Sequence, residues 1–256
     1  MPTVAISNGP RLKLERAKHH IEDFIAQAEV FYKRETAGFY IEDNPNTRQR
    51  ALCIDIDTTV PEHYALIIGD AVHNLRSALD HLTWDLVRPF NPPRPNDVQF
   101  PFCRKAESFE GALTHRQVTL AGEEIVEKFR VMKPYPGGDE VLYALHQIDI
   151  ADKHQLVVPV RSLIGFERLN VRDVDPTAPD LVIEKRSFSN IDKDKRLAVW
   201  RYDPRIPFIT PPKGKDVDVI IQIMFRKDQP LGGKSVSANL RTLAITVDKA
   251  IRSFGS

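Results

Sequence analysis

A chain of 256 residues, 42% hydrophobic and 28% charged, has an ordinary globular composition and can bury a sizeable core as one large domain or two small ones. Its net charge of +1 excludes a global field that would draw it onto nucleic acid or an anionic membrane, so any RNA contact must rest on a local patch. No apolar run approaches the roughly 20 residues of a membrane span, and MPTVAISNGPRLKLERAKHH at the start has no apolar stretch of the secretory type. We therefore expect a cytoplasmic protein with no membrane partner. Cys53 and Cys103 fit neither a metal spacing nor a disulfide framework, so both read as buried free thiols.

In chain order, residues 1–9 read as an arm, with Ser7 or Asn8 as a helix cap and Pro10 in the first turn. Leu14, Ala17, Ile21, Phe24, Ala28 and Phe31 then recur at steps of three and four, which predicts an amphipathic helix over 10–36 with His19 and His20 facing solvent. FYIED and RALCIDIDTTV alternate around an Asn-Pro turn and predict a β-hairpin. A central helix follows between Pro61 and Pro89. PFNPPRPNDVQFPF, with five prolines in fourteen residues, can be neither a regular helix nor an interior strand. Short helices are expected at 105–115 and 122–132. Asp139 caps another, EVLYALHQIDIADKH, whose apolar stripe Val141, Leu145, Ile148 continues onto Asp152.

From Gln155 the texture changes. LVVPVRSL, RLNVRDV, DLVIEKRSF, RLAVWRY and VDVIIQIMF predict five strands with no helix between them, hence an antiparallel sheet. RIPFITPPKGK at 205–215 reads as a second proline-rich loop, and KDKR at 193–196 and KGK at 213–215 as solvated basic stretches. Ser235 or Ser237 caps a last helix with Leu240, Leu243, Val247, Ile251 and Phe254 on one side. The expected class is α+β, with a boundary after residue 154. Residues 1–154 form a helical domain with a β-hairpin insertion. Residues 155–256 form an antiparallel sheet closed by the C-terminal helix and packed tightly on the first domain.

The central helix carries the functional signal. Ile68, Val72, Leu75, Leu79, Leu82 and Leu86 lie on one narrow stripe. Asp70, Asn74, Ser77 and His81 form a polar stripe at i, i+4, i+7 and i+11, and His73, Asp80 and Trp84 form another beside it. Arg76 sits at the edge of the apolar face. A merely solvated face is usually rich in Lys and Glu; short polar residues of fixed geometry suit a site. One reading is a site for an anion or phosphodiester, with Arg76 as a permanent charge and His81 or His73 as a group titrating near neutrality. The other is a helix interface in which these groups satisfy one another.

Arg76-Ser-Ala-Leu-Asp-His81, an Arg and a His separated by four residues, resembles the motif of HEPN proteins, helical-bundle domains of which many are metal-independent endoribonucleases. The family carries Asn, Asp or His after the Arg; here it is Ser77. The resemblance implies an RNA partner and a homodimer in which the Arg and His of two subunits meet. Arg76 and His81 would be catalytic, with no metal and no cofactor. Asp70, His73, Asn74, Ser77 and Asp80 would support them on the same helix, and Asp152 and His154 from the neighbouring one. The longer pattern GDAVHNLRSALDHL with a later IADKH is similar to a group of bacterial and phage-borne proteins of unassigned function.

His146, Asp149, Asp152, Lys153 and His154 make a second constellation. A metal reading would use His146, Asp149 and one of Asp152 or His154, but 146 and 152 do not share a helix face and no metal motif is present. Instead, Asp152 is expected to reach Arg76 or a histidine of the central helix and orient it. The chain has no glycine-rich phosphate loop and no GxSxG element. The rival to an RNA-directed enzyme is an interaction protein whose polar helix face is structural.

Overall fold

The computed structural model describes residues 5–34, 38–44, 49–55, 60–170, 182–187, 197–202 and 219–255. The Asn-Pro turn, the 205–215 loop, both basic stretches and residues 171–174 of RLNVRDV lie wholly or partly outside them, as does the Cys53 side chain. The described elements are six α-helices and six strands, an α+β protein.

Helix α2 (His63–Val87) is the element around which the helical core forms. Its 4/3 stripe is buried along its whole length: Ile68, Val72, Leu75, Leu79 and Leu82 are 0% exposed. Burying each such side chain contributes about 1.5–3 kcal/mol, so the stripe alone fixes which way α2 faces. Helix α1 (Gly9–Arg34) lies along it, with Phe24 edge-on to Tyr64 at 5.5 Å and Gly9 against His81 near the other end. Ser7 ties the start of α1 down: its backbone N–H and hydroxyl both donate to buried Asp85, at 2.8 and 2.6 Å.

Two short helices, α3 (Phe109–His115) and α4 (Glu123–Met132), follow the proline-rich segment. That segment has no regular helix or strand; it makes short 3₁₀ turns and buries Phe100 and Phe102. Helix α5 (Glu140–His154) starts where the Asp139 carboxyl accepts from the N–H groups of Val141 and Leu142, both at 2.9 Å. The final helix, which we label α6 (Val236–Arg252), is capped by Ser235. Its Leu240, Leu243, Val247 and Ile251 are buried, and it packs against α2 and α5.

The strands are β1 (Gly38–Asn44), β2 (Gln49–Asp55), β3 (Pro159–Asn170), β4 (Val182–Ser187), β5 (Leu197–Tyr202) and β6 (Val219–Phe225). They form two three-stranded sheets, β1-β2-β5 and β4-β3-β6. The pairs β1–β2, β2–β5 and β3–β4 are antiparallel: Gly38 opposes Asp55 in the hairpin, Arg50 opposes Tyr202, and Gly165 opposes Ser187. Between Leu52 and Cys53 the register passes over Val199, which marks a bulge in β5. LVVPVRSL and the start of RLNVRDV, expected as two strands, run together as the single strand β3.

The chain divides into two compact units, and neither is a continuous segment. One comprises residues 1–26, 61–159 and 225–256; the other comprises 27–60 and 160–224. This differs from a single cut after residue 154. The hairpin β1–β2 pairs with β5, so it belongs with the strands of the second half. The C-terminal helix packs its apolar side on α2 and α5, so it belongs with the helices. Among the described residues no helix is long and apolar enough to cross a membrane.

Candidate functional site

The polar groups singled out in the sequence converge where α5 runs along α2, all within the helical unit. Gly69 faces Asp152, His73 faces Asp149, and Arg76 lies near His146, so the two helices are antiparallel. The seam has two parts.

The first part is built around Arg76, which is buried at 7% exposure. Its Nη1 donates to Asp80 Oδ1 at 2.5 Å, one helical turn on. The same Asp80 oxygen accepts the Phe100 backbone N–H at 2.8 Å, which pins the proline-rich segment to α2. The guanidinium carbon lies 4.5 Å from the centre of the Phe102 ring, and His146 stacks on that ring at 4.6 Å with 2° between planes. Burial, then the Arg76 charge, pushes the His146 imidazole down to about 4, so it is neutral at physiological pH. Its Nδ1 is buried with no hydrogen-bond partner.

The second part is built around Asp149, whose side chain is 3% exposed. Asp149 Oδ1 lies 3.4 Å from His73 Nδ1, and Oδ2 accepts from Lys153 Nζ at 2.7 Å. His73 itself is 58% exposed. Beside it, Asp152 is half-buried and its carboxyl lies flat on Gly69: a Cβ there would sit 2.5 and 2.8 Å from the two oxygens. Burial raises the Asp152 pKa, the Val157 N–H opposes that shift, and Asp149 and Asp70 add to it. His20 of α1 is held below its usual value by partial burial and by Arg16, with Asp70 acting against them. His20 is half-buried rather than solvent-facing, whereas His19 is exposed.

The sequence-predicted residues divide between these environments. Arg76 and Asp80 are joined in the first part. His73 and Asp152 lie in the second, with exposed Asp70 close by in electrostatic terms. Asn74 Nδ2 donates back to the Asp70 carbonyl at 2.8 Å, which is a contact within the helix. Ser77 is half-buried, and His154 is exposed at the end of α5. His81 is exposed and touches the start of α1, so it does not share Arg76's surroundings. The five-residue offset turns the two side chains about 140° apart on the helix.

The expected link from Asp152 to Arg76 is not made. Arg76 takes its carboxylate from Asp80, and the α5 carboxylate that reaches an α2 histidine is Asp149. The reason is the buried arc of α5, which is Leu142, Ala144, Leu145, Ile148 and Asp149. It is rotated by about one residue from the stripe beginning at Val141. Sequence reasoning also missed Phe102, which no helical period could have placed.

Among the described residues, no three His, Cys, Asp or Glu side chains form a group that could hold a metal ion. Cys103 is free and half-buried, its thiol pushed up by burial. An apolar depression of about 500 Å³ lies between α4 and the end of α6, lined by Val131, Met132 and Ser253 among others. None of the α2 or α5 polar groups lines it. What the seam offers chemically is one buried, neutralised cation and one exposed imidazole backed by a buried carboxylate, in an α+β protein. No family model, curated protein or solved structure matches the chain.

Proposed function

We propose that the helical unit is a HEPN-like module that acts on RNA, cleaving the phosphodiester without a metal. The observation that carries this reading is the open face of α2: on the most deeply buried helix of the unit, His73 and His81 are both exposed. Imidazoles exchange protons near neutrality, which is what metal-free cleavage by the RNA's own 2′-hydroxyl requires. A second copy of the chain would meet this face in the dimer that the resemblance implies. Arg76, with its charge already engaged, acts in this reading as a positioning residue. The test is incubation of the full chain with mixed-sequence single-stranded RNA in EDTA. Chelator-insensitive cleavage leaving 2′,3′-cyclic phosphate ends is the expected result; intact RNA at high protein concentration overturns the reading.

The burial of Arg76 favours a second reading. A guanidinium at 7% exposure, paired with Asp80 and lying over Phe102, is spent on holding the proline-rich segment. On that account the protein is a non-enzymatic interaction module and the polar face of α2 is largely structural. Uncleaved RNA together with a large stability loss in Arg76→Ala would establish it over the first.

A further inference from the structure

We infer that His73 is the proton acceptor of this face and that Asp149, a positioning residue, holds it in the productive tautomer. The inference rests on the RNA-cleaving reading above and adds to it a catalytic pair drawn from two helices. Asp149 is buried and its two oxygens have different partners: Oδ2 is held by Lys153 at 2.7 Å, leaving Oδ1 for His73 Nδ1 at 3.4 Å. A carboxylate fixed in this way takes the Nδ1–H and leaves Nε2 as the nitrogen with the free lone pair. The ring is 58% exposed, so a ligand can reach it. A buried carboxylate behind an exposed imidazole also stabilises the imidazolium that forms when the ring accepts a proton. A distance of 3.4 Å is long for a hydrogen bond, and such contacts tighten when substrate binds.

Among the described residues, no carboxylate is hydrogen-bonded to the other imidazole of the face. His81 Nδ1 lies against the first residue of α1, where a Cβ on Gly9 would be 2.9 Å away. Around His73 the charged neighbours are Asp149, Lys153 and Asp152, with Asp70 beyond.

The ligand is a ribonucleotide phosphodiester. His73 Nε2 takes the proton from the 2′-hydroxyl as O2′ bonds to phosphorus. The P–O5′ bond breaks, and the proton is returned to the departing 5′ oxygen. The products are a 2′,3′-cyclic phosphate and a 5′-hydroxyl, with no other reactant consumed.

The experiment is cleavage of mixed-sequence single-stranded RNA by the full chain in EDTA, comparing wild type, His73→Ala and Asp149→Asn. His73→Ala should lower kcat by about 10²–10⁴-fold, with partial recovery on adding imidazole. Asp149→Asn should lower kcat by about 10²-fold or more with KM little changed, because it alters the tautomer and not the binding surface. Wild-type cleavage that survives His73→Ala overturns this inference and leaves the RNA reading standing. No cleavage by wild type overturns both. If Asp149→Asn does not fold, ¹⁵N spectra of the wild-type ring decide its role. A proton on Nδ1 supports the pair, and a proton on Nε2 overturns it.

Discussion

Around Arg76 the seam between α2 and α5 turns its charge inward, whereas three residues earlier, around His73, it turns charge outward. The two centres have similar ingredients: a buried charged group, a carboxylate and an imidazole. At Arg76 the buried group is the cation, and it is surrounded by a carboxylate, an aromatic ring and a neutral histidine. At His73 the buried group is the anion, and its two partners, His73 and Lys153, are 58% and 55% exposed. A buried charge whose partners are packed around it serves the fold. One whose partners reach solvent leaves a group free to exchange protons. The contrast can be tested by removing one group at a time.

The largest effect is expected at Arg76. In Arg76→Ala the Asp80 carboxylate loses its cation and Phe102 loses the guanidinium over its ring. Removing one partner of a buried pair costs about 3–5 kcal/mol, and the 30% exposure of the Asp80 side chain lowers that to about 2–4. The urea midpoint should fall by the corresponding amount with an unchanged slope. A loss below about 1 kcal/mol would show that the network does not support the fold.

Acid comes next, through His146. Its ring protonates near 6.5 when unfolded but only at about 4 when folded. The unfolded state therefore binds more protons between these values, and stability must fall as pH drops from about 6.5 towards 4. Asp152 has the opposite sign, since its raised pKa disfavours the ionised form in the fold. His146→Phe keeps a ring on Phe102 and removes both the titration and the unpartnered Nδ1. Urea melts between pH 4 and 7 should then lose most of their slope relative to wild type.

Gly69→Ala probes the second centre from the α2 side. Replacing a mid-helix glycine by alanine usually gains up to about 1 kcal/mol, but this Cβ would meet the Asp152 carboxyl at 2.5 Å. The carboxyl must swing away from α2, so its pKa should return towards the ordinary carboxylate range, and ¹³C titration reads this directly. With its helix gain offset, Gly69→Ala should be less stable than Gly69→Ala/Asp152→Ala. An Asp152 titration unchanged in Gly69→Ala would mean that the carboxyl does not sit on the helix.

These centres were unequally legible in the sequence. The 4/3 stripe of α2 identifies its buried side because burial of a helix at the centre of a core follows its own period. Asp139 and Ser235 are readable as caps for the same local reason. The face of α5 is not local: it is set by packing on α2 and α6 together, which buries Asp149 and leaves Asp152 half-out. The pairing of His73 with Asp149 spans 76 residues, and no spacing encodes it. Phe102 comes from a segment without periodicity, so nothing announced that it would carry both Arg76 and His146. The pairing of β2 with β5 spans more than a hundred intervening residues, and no local pattern encodes it either.

The smallest effect is expected at His73, and there its smallness is informative. The ring is mostly in solvent, and Asp149 keeps Lys153 when His73 is removed. His73→Ala should therefore change stability by no more than about 0.5 kcal/mol, the range of ordinary surface substitutions. Asp149→Ala should cost far more, because it strips a buried position of its hydrogen-bonded carboxylate. Denaturant melts of the two variants, set beside Arg76→Ala, separate groups that support the fold from those that do not. If His73→Ala costs as much as Arg76→Ala, the imidazole is a structural member of the seam and both of its centres serve the fold. If it costs almost nothing, stability gives no reason for an exposed imidazole to be aligned by a buried carboxylate, and function remains as the reason.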